Sequence, residues 1–212
     1  MAPLGGYDGL MVWEILNIIG TIAFATSGAV VAMEEDYDVI GVLFLGMTTS
    51  FGGGIVRNLL LGIPLEGFWA QTTLHYVAIA SIIATYLLPR RWIRRWLRLA
   101  MYLDAVGLAA FAIQGALYAV EVQLSHLAVI LAAVMTGTGG GLIRDVLAHR
   151  RPLVFQNTSL YVVWAMLAGA AIAMGLPTTP VYLFSLLALV CGLRIASVIL
   201  EWHLPLRRIE QV

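Results

Sequence analysis

Charged residues and cysteine are scarce in this sequence of 212 residues. Only 11% of the residues are charged and 61% are hydrophobic, whereas about a quarter of the residues in a soluble domain are charged. The lone Cys191 excludes an internal disulfide framework. Lysine is absent, and twelve arginines balance twelve acidic residues, so net charge gives no argument for nucleic acid. The composition predicts an all-α integral membrane protein with no nucleic-acid partner.

The apolar residues fall into seven segments separated by short polar links. A transmembrane helix needs about 20 apolar residues, so the sequence predicts seven transmembrane helices in a single membrane domain, residues 1–212. No basic residue precedes the first segment, which is therefore expected to be a retained helix rather than a signal peptide. The segments are 11–33, 39–61, 71–88, 99–120, 125–147, 158–176 and 178–202.

Most arginines cluster in the link after segment three, in the link after segment five and behind segment seven. With an odd number of segments, these three places lie on one side, which the positive-inside rule makes cytoplasmic. We therefore expect a multi-pass protein of the bacterial plasma (inner) membrane with its N-terminus outside and its C-terminus in the cytoplasm. The arginines concerned are Arg90, Arg91, Arg94, Arg95, Arg98, Arg150, Arg151, Arg207 and Arg208.

The sequence contains an internal repeat. Residues 16–68 align with 103–155 at a constant offset of 87 and are identical at 17 of 53 positions. Each repeat holds three segments, so the two copies cross the membrane in opposite senses, as in inverted-repeat transport proteins. The predicted repeats are 11–88 and 99–176, and the seventh helix, 178–202, lies outside them.

Both repeats carry Gly-Gly-Gly-x-x-Arg inside an apolar segment: Gly52, Gly53, Gly54 and Arg57, followed by Asn58, and Gly139, Gly140, Gly141 and Arg144, followed by Asp145. Each glycine weakens a helix by roughly 1 kcal/mol, so helices two and five are predicted to be broken there. An ionisable residue at this depth indicates a functional site. The alternative is that the glycines allow close helix packing while the arginines extend to the interface.

Polar and small residues surround these motifs. The hydroxyls of Thr48, Thr49, Ser50, Thr136 and Thr138 have two roles open to them: satisfying freed backbone groups or facing permeating ions. Stripes of small residues, including Gly20 and Gly107 with Phe24 and Phe111, are typical of helix-packing faces. Asn17 and Asp104 occupy matching positions at opposite faces, where two roles are open to them, mouth residues or helix caps, and the interpretation as caps is favoured.

A duplicated three-helix unit with Gly-Gly-Gly-x-x-Arg in segments two and five resembles prokaryotic members of the trimeric intracellular cation (TRIC) channel family. The same family is also labelled a glycine-transporter domain family. The resemblance implies a homotrimer in membrane lipid, with a pore through each protomer walled by kinked helices two and five. It implies monovalent cations as partners, chiefly potassium, with sodium as a second candidate. Asn58 departs from the pattern, because the second copy has Asp145 there.

Two functions follow from these patterns. The resemblance favours a potassium-permeable channel, whereas the residues alone slightly favour a carrier for a small amino acid such as glycine. We expect no enzyme activity, because no nucleophile–base pair or phosphate loop is present, and no cofactor or metal, because the histidines are scattered. The predicted ion path comprises Thr49, Ser50, Gly52, Gly53, Gly54, Arg57, Asn58, Thr136, Thr138, Gly139, Gly140, Gly141, Arg144 and Asp145.

Overall fold

The computed structural model describes residues 7–156 and 160–205, with the backbone alone described at 7–10 and 90–99. The regular elements in these ranges are helices, which confirms the all-α class. They are α1 (Tyr7–Glu34), α2 (Val39–Leu60), α3 (Glu66–Ala70), α4 (Thr72–Tyr86), α5 (Arg90–Glu121), α6 (His126–Leu147), a 3-10 turn (Leu153–Phe155), α7 (Tyr161–Ala173) and α8 (Pro180–Ile199).

Five of these helices, α1, α2, α5, α6 and α8, are long and apolar enough to cross a membrane. The apolar helices α4 and α7 have 15 and 13 residues, short of the roughly 17 that a span needs. The count of seven transmembrane helices therefore stays a prediction. Two predicted features lie outside the described residues: the start of the sixth segment, at 158–159, and the C-terminal arginines 207–208. The arginine-rich stretch 90–98, predicted as a link, forms the first turns of α5.

Helix ends recur at the offset of 87 that the sequence repeat predicts. The helices α2 and α6 both have 22 residues, and their first and last positions differ by 87. Each begins behind a capping side chain: Asp38 accepts a hydrogen bond from the Gly41 N–H at 2.7 Å, and Ser125 accepts one from the Ala128 N–H at 3.4 Å. The same local signals therefore start and end these two helices.

The predicted breaks at the glycine triplets are not confirmed, because α2 and α6 run uninterrupted through them. A Cβ added to Gly53 would overlap the carbonyl oxygen of Thr136, and one added to Gly140 would overlap that of Thr49. The triplets therefore let α2 and α6 cross with their backbones in contact, as small residues do in membrane helices. The uninterrupted helices also keep the backbone N–H and C=O groups of the triplets hydrogen-bonded inside the membrane.

The small-residue stripes are packing faces, as predicted. Gly20 gives room to the ring of Phe111, and Gly107 gives room to the ring of Phe24. The two rings meet where α1 crosses α5, with their centroids 5.2 Å apart. Around this centre α4 packs against α1 and α2, while α7 and α8 pack against α5.

One end of the bundle is held together by its links. Arg150, behind α6, pairs with Glu34, the last residue of α1, at 2.8 Å and with Glu35, in the link to α2, at 2.6 Å. The Tyr37 hydroxyl donates to the carbonyl of Leu147 at 2.8 Å. The two links therefore lie on the same face of the bundle.

Candidate functional site

Arg144 is the centre of a buried charged cluster. Its side chain reaches three helices, although only 4% of the residue is exposed. Its Nη1 lies 2.8 Å from Asp104 Oδ1 and donates to Ser27 Oγ at 2.7 Å. Its Nε and Nη2 lie 2.9 and 2.8 Å from Asp145 Oδ1. We call Arg144, Asp104, Asp145 and Ser27 the inner cluster. One arginine with two carboxylates gives it a formal charge of minus one.

The interpretation of Asp104 and Asn17 as helix caps is wrong. Asp104 lies within α5 and is 1% exposed, and Asn17 lies within α1. A cap needs a helix start, whereas Asp104 is held here by the charge of Arg144. The repeat contained a sign that Asp104 belongs with Arg144: Asn17 and Asp104 match at the same offset of 87 as Asn58 and Asp145, so both acids have an asparagine at the matching position.

Other side chains extend the inner cluster, and Tyr161 among them was not predicted from the sequence. The Tyr161 hydroxyl donates to Asp104 Oδ1 at 3.4 Å, and the Arg194 guanidinium lies 4.8 Å from the centre of the Tyr161 ring. Asp145 Oδ2 accepts the Leu153 N–H at 3.1 Å. The cluster is therefore tied to α7, to α8 and to the turn behind α6.

A cavity of about 290 Å³ opens beside the inner cluster. Asp104, Arg144 and Asp145 line it together with Arg150 and Glu34 of the links. We call it the inner cavity, because these links are the ones predicted to be cytoplasmic.

Arg57, at the matching position of the first repeat, has different surroundings. It is 9% exposed, and its Nε and Nη2 donate to Asn58 Oδ1 at 3.0 and 2.9 Å. Its guanidinium lies 4.6 Å from the centre of the Tyr118 ring. Across the described ranges, no carboxylate lies within ion-pair distance of Arg57.

Two adjoining cavities lie beside Arg57. The larger, the outer cavity, has a volume of about 540 Å³ and is lined by Asn17, Arg57, Asn58 and Tyr118, among others. The smaller, the narrow cavity, has a volume of about 50 Å³ and shares Asn17, Arg57 and Asn58 with the outer cavity. Its further lining includes Thr21, Ser50, Gly54, Phe111 and Thr136.

The predicted hydroxyls bond within their own helices. Thr49 and Thr136 each donate to the carbonyl four residues earlier at 2.6 Å, and Thr138 does so at 2.7 Å. Ser50 donates to Gly46 O at 2.9 Å. Since no break exists, there are no freed groups for them to satisfy. Ser50 and Thr136 line the narrow cavity, where their oxygen lone pairs remain available to a cation.

The other predicted ion-path residues lie at the crossing of α2 and α6 and on its outer and inner sides. Gly53 and Gly140 form the backbone contact between α2 and α6, and Gly52 and Gly139 border it. Gly141 faces the Tyr161 hydroxyl, 2.7 Å from where its Cβ would stand. Arg57 and Asn58 line the outer side, and Arg144 and Asp145 line the inner side. The helix crossing lies between the two arginine sites.

Comparison with known proteins assigns this arrangement to a family. A family model described as "Glycine transporter" matches residues 14–90 and 101–178. The chain is 48% identical to the UPF0126 membrane protein YvgT of Bacillus subtilis over 197 residues, which are 93% of this chain and 97% of that protein. It is 35% identical to the UPF0126 inner membrane protein YadS of Escherichia coli over 204 residues, covering 93% of this chain and 95% of that protein.

The fold is similar to that of a chain solved for the structural basis of conductance through TRIC cation channels. The two share 34% sequence identity and superpose with a TM-score of 0.81, over 94% of this chain and 98% of that one. The chain therefore belongs to the prokaryotic TRIC channel family, whose family model carries the description of a glycine transporter.

Proposed function

We propose that this protein is a channel for monovalent cations, permeable to potassium, with a pore through each protomer of a homotrimer. One observation carries the proposal: cavities that charged and polar side chains help to line lie on the two sides of the crossing of α2 and α6. The path runs from the outer and narrow cavities, past Gly53 and Gly140, to the inner cavity. The similarity of the chain to a solved TRIC cation channel supports the same function.

The inner cluster gives the path its preference for cations. Asp104 and Asp145 outnumber Arg144 within this cluster, and carboxylates that line a cavity attract cations. The rest of the cavity lining adds Glu34, Arg150 and Arg151, so the preference rests on the two buried carboxylates and not on the net charge of the cavity. The hydroxyls of Ser50 and Thr136 provide uncharged oxygen ligands in the narrow cavity. In this structure the Phe24 and Phe111 rings and the α2–α6 contact fill the centre, so conduction requires these elements to move apart.

A carrier for glycine is less well supported. That function depended on half-helix N-termini at broken helices, which would bind the substrate carboxylate. The continuous α2 and α6 provide no such termini. No enzymatic role is proposed.

We further propose the plasma membrane as the location, with the N-terminus outside and the C-terminus in the cytoplasm. The excess of arginine in the links after segments three and five supports this orientation, and the contacts of Arg150 with Glu34 and Glu35 are compatible with it. Single cysteines at Asp36 and Thr179, in a Cys191→Ser background, report it through labelling of whole cells with an impermeant thiol reagent. We expect labelling of Thr179→Cys alone. Labelling of Asp36→Cys without labelling of Thr179→Cys would show the opposite orientation.

Flux through purified protein in liposomes tests the function, with potassium and glycine measured side by side. Rapid potassium flux down its gradient without glycine uptake is the expected result. Saturable glycine uptake, with potassium flux at the level of empty liposomes, would overturn the channel.

A further inference from the structure

We propose that the outer cavity binds a small monovalent anion at Arg57, for which chloride is the probe. The anion takes the place that Asp104 occupies beside Arg144 in the other repeat. Binding itself is independent of the proposed channel function; only its effect on cation flux rests on that function.

The guanidinium of Arg57 is held in the same way as that of Arg144. In both repeats Nε and Nη2 donate to one oxygen of the next residue, Asn58 Oδ1 or Asp145 Oδ1, at 2.8 to 3.0 Å. Asn58 thus reproduces the geometry of Asp145 without its charge.

The remaining nitrogen, Nη1, differs between the repeats. Arg144 Nη1 has two acceptors, Asp104 Oδ1 and Ser27 Oγ. The residues at the matching positions, Asn17 and Gln114, accept no hydrogen bond from Arg57, whose Nη1 has no acceptor among the residues that the structure describes. A donor left over on a cation that lines a cavity is suited to an anion.

Charge leads to the same conclusion. Both carboxylates that neutralise Arg144 are replaced by asparagine in the outer half, so the charge of Arg57 lies nine-tenths buried with no opposite charge in contact. A buried charge without a partner is costly. Glu14 also lines the outer cavity, but it is exposed and makes no ion pair with Arg57.

The cavity provides room and further donors. Asn17 and Gln71 also line it, and their carboxamide N–H groups can turn toward an anion. A volume of about 540 Å³ accommodates a hydrated chloride. A bound anion would cancel the positive potential that otherwise repels cations at this end of the path.

Thermal unfolding in detergent tests the site without measuring transport. Protein prepared in sodium gluconate is titrated with sodium chloride at constant ionic strength. The Tm of the wild type should increase with the chloride concentration, because a ligand that binds the native state stabilises it. Arg57→Gln should weaken the apparent affinity at least about tenfold, since it removes the charged donor.

Two asparagine variants provide the decisive comparison. Asn17→Asp and Asn58→Asp supply the missing carboxylate, so their Tm should no longer respond to chloride. The matched control Glu14→Gln changes an acid on the same cavity wall and should respond as the wild type does. A wild type that does not respond, or a response that is unchanged in Arg57→Gln and both aspartate variants, would overturn the proposal.

Flux measurements then separate the two proposals. A chloride-dependent Tm without potassium flux would refute the channel and leave the anion site standing. Potassium flux with no chloride response of Tm would leave the channel standing and refute the anion site.

Discussion

Gly53 lies against the carbonyl group of Thr136, so closely that a Cβ on the glycine would overlap the carbonyl oxygen. The inverted partner of this contact, Gly140 against Thr49, recurs at the offset of 87. The backbones of α2 and α6 therefore meet twice around one crossing point, between the outer and the inner cavity.

Adding a methyl group at this crossing should destabilise the protein. Gly53→Ala and Gly140→Ala force the backbones apart, and we expect each to lower the free energy of unfolding by about 1–3 kcal/mol. Thermal unfolding in detergent measures the loss. Gly192→Ala is the matched control, because its Cβ would meet nothing within 4 Å and alanine is the better helix former. Equal stability of all three variants would contradict the close crossing.

Removing the charge of Asp104 should be more damaging than removing a surface charge. Asp104→Asn weakens a pair that is almost completely buried and should cost about 3 kcal/mol or more. Glu35→Gln, which alters a partly exposed pair with Arg150, should cost at most about 1 kcal/mol. Chemical unfolding of the two variants side by side makes the comparison, and similar losses would argue against the buried cluster.

Asp145→Asn should reduce the preference for cations over anions. The amide oxygen can still accept the Leu153 N–H, but the inner cluster loses its net negative charge. Reversal potentials in a potassium chloride gradient should move toward zero. Glu201→Gln, at an exposed position behind α8, should leave them where they are. Unchanged selectivity in Asp145→Asn would show that the inner cluster is not part of the ion path.

The contribution of Arg150 to the free energy of unfolding should be small and independent of pH near neutrality. Partial burial lowers the pKa of Arg150, but hydrogen bonds to Glu34 and Glu35 outweigh this and raise it. A raised folded-state pKa gives stability that is fully present at every pH below the unfolded-state pKa of arginine, which lies far above neutrality. This stability is lost only as the pH rises through the folded-state pKa. Arg150→Gln should therefore cost at most about 1 kcal/mol, equally at about pH 7 and about pH 9. A loss that changes between these two conditions would contradict this role.

The sequence predicted the helices because their signals are local. Apolar runs and the repeat at an offset of 87 located α2 and α6 to within a residue or two. The same signals identified Arg57 and Arg144 as polar sites in an apolar setting. Each of these inferences needs only residues that are neighbours along the chain.

What the glycines and acids do was decided only by tertiary structure. A glycine triplet lowers helix propensity whether it breaks a helix or lies under another one, and the choice depends on Thr136 and Thr49, which are distant in sequence. Asp104, 40 residues before Arg144, has the sequence signature of a polar residue in an apolar helix and becomes an ion-pair partner through the crossing of α5 and α6. Propensity and hydropathy are properties of segments, whereas contact and charge compensation depend on how the segments cross.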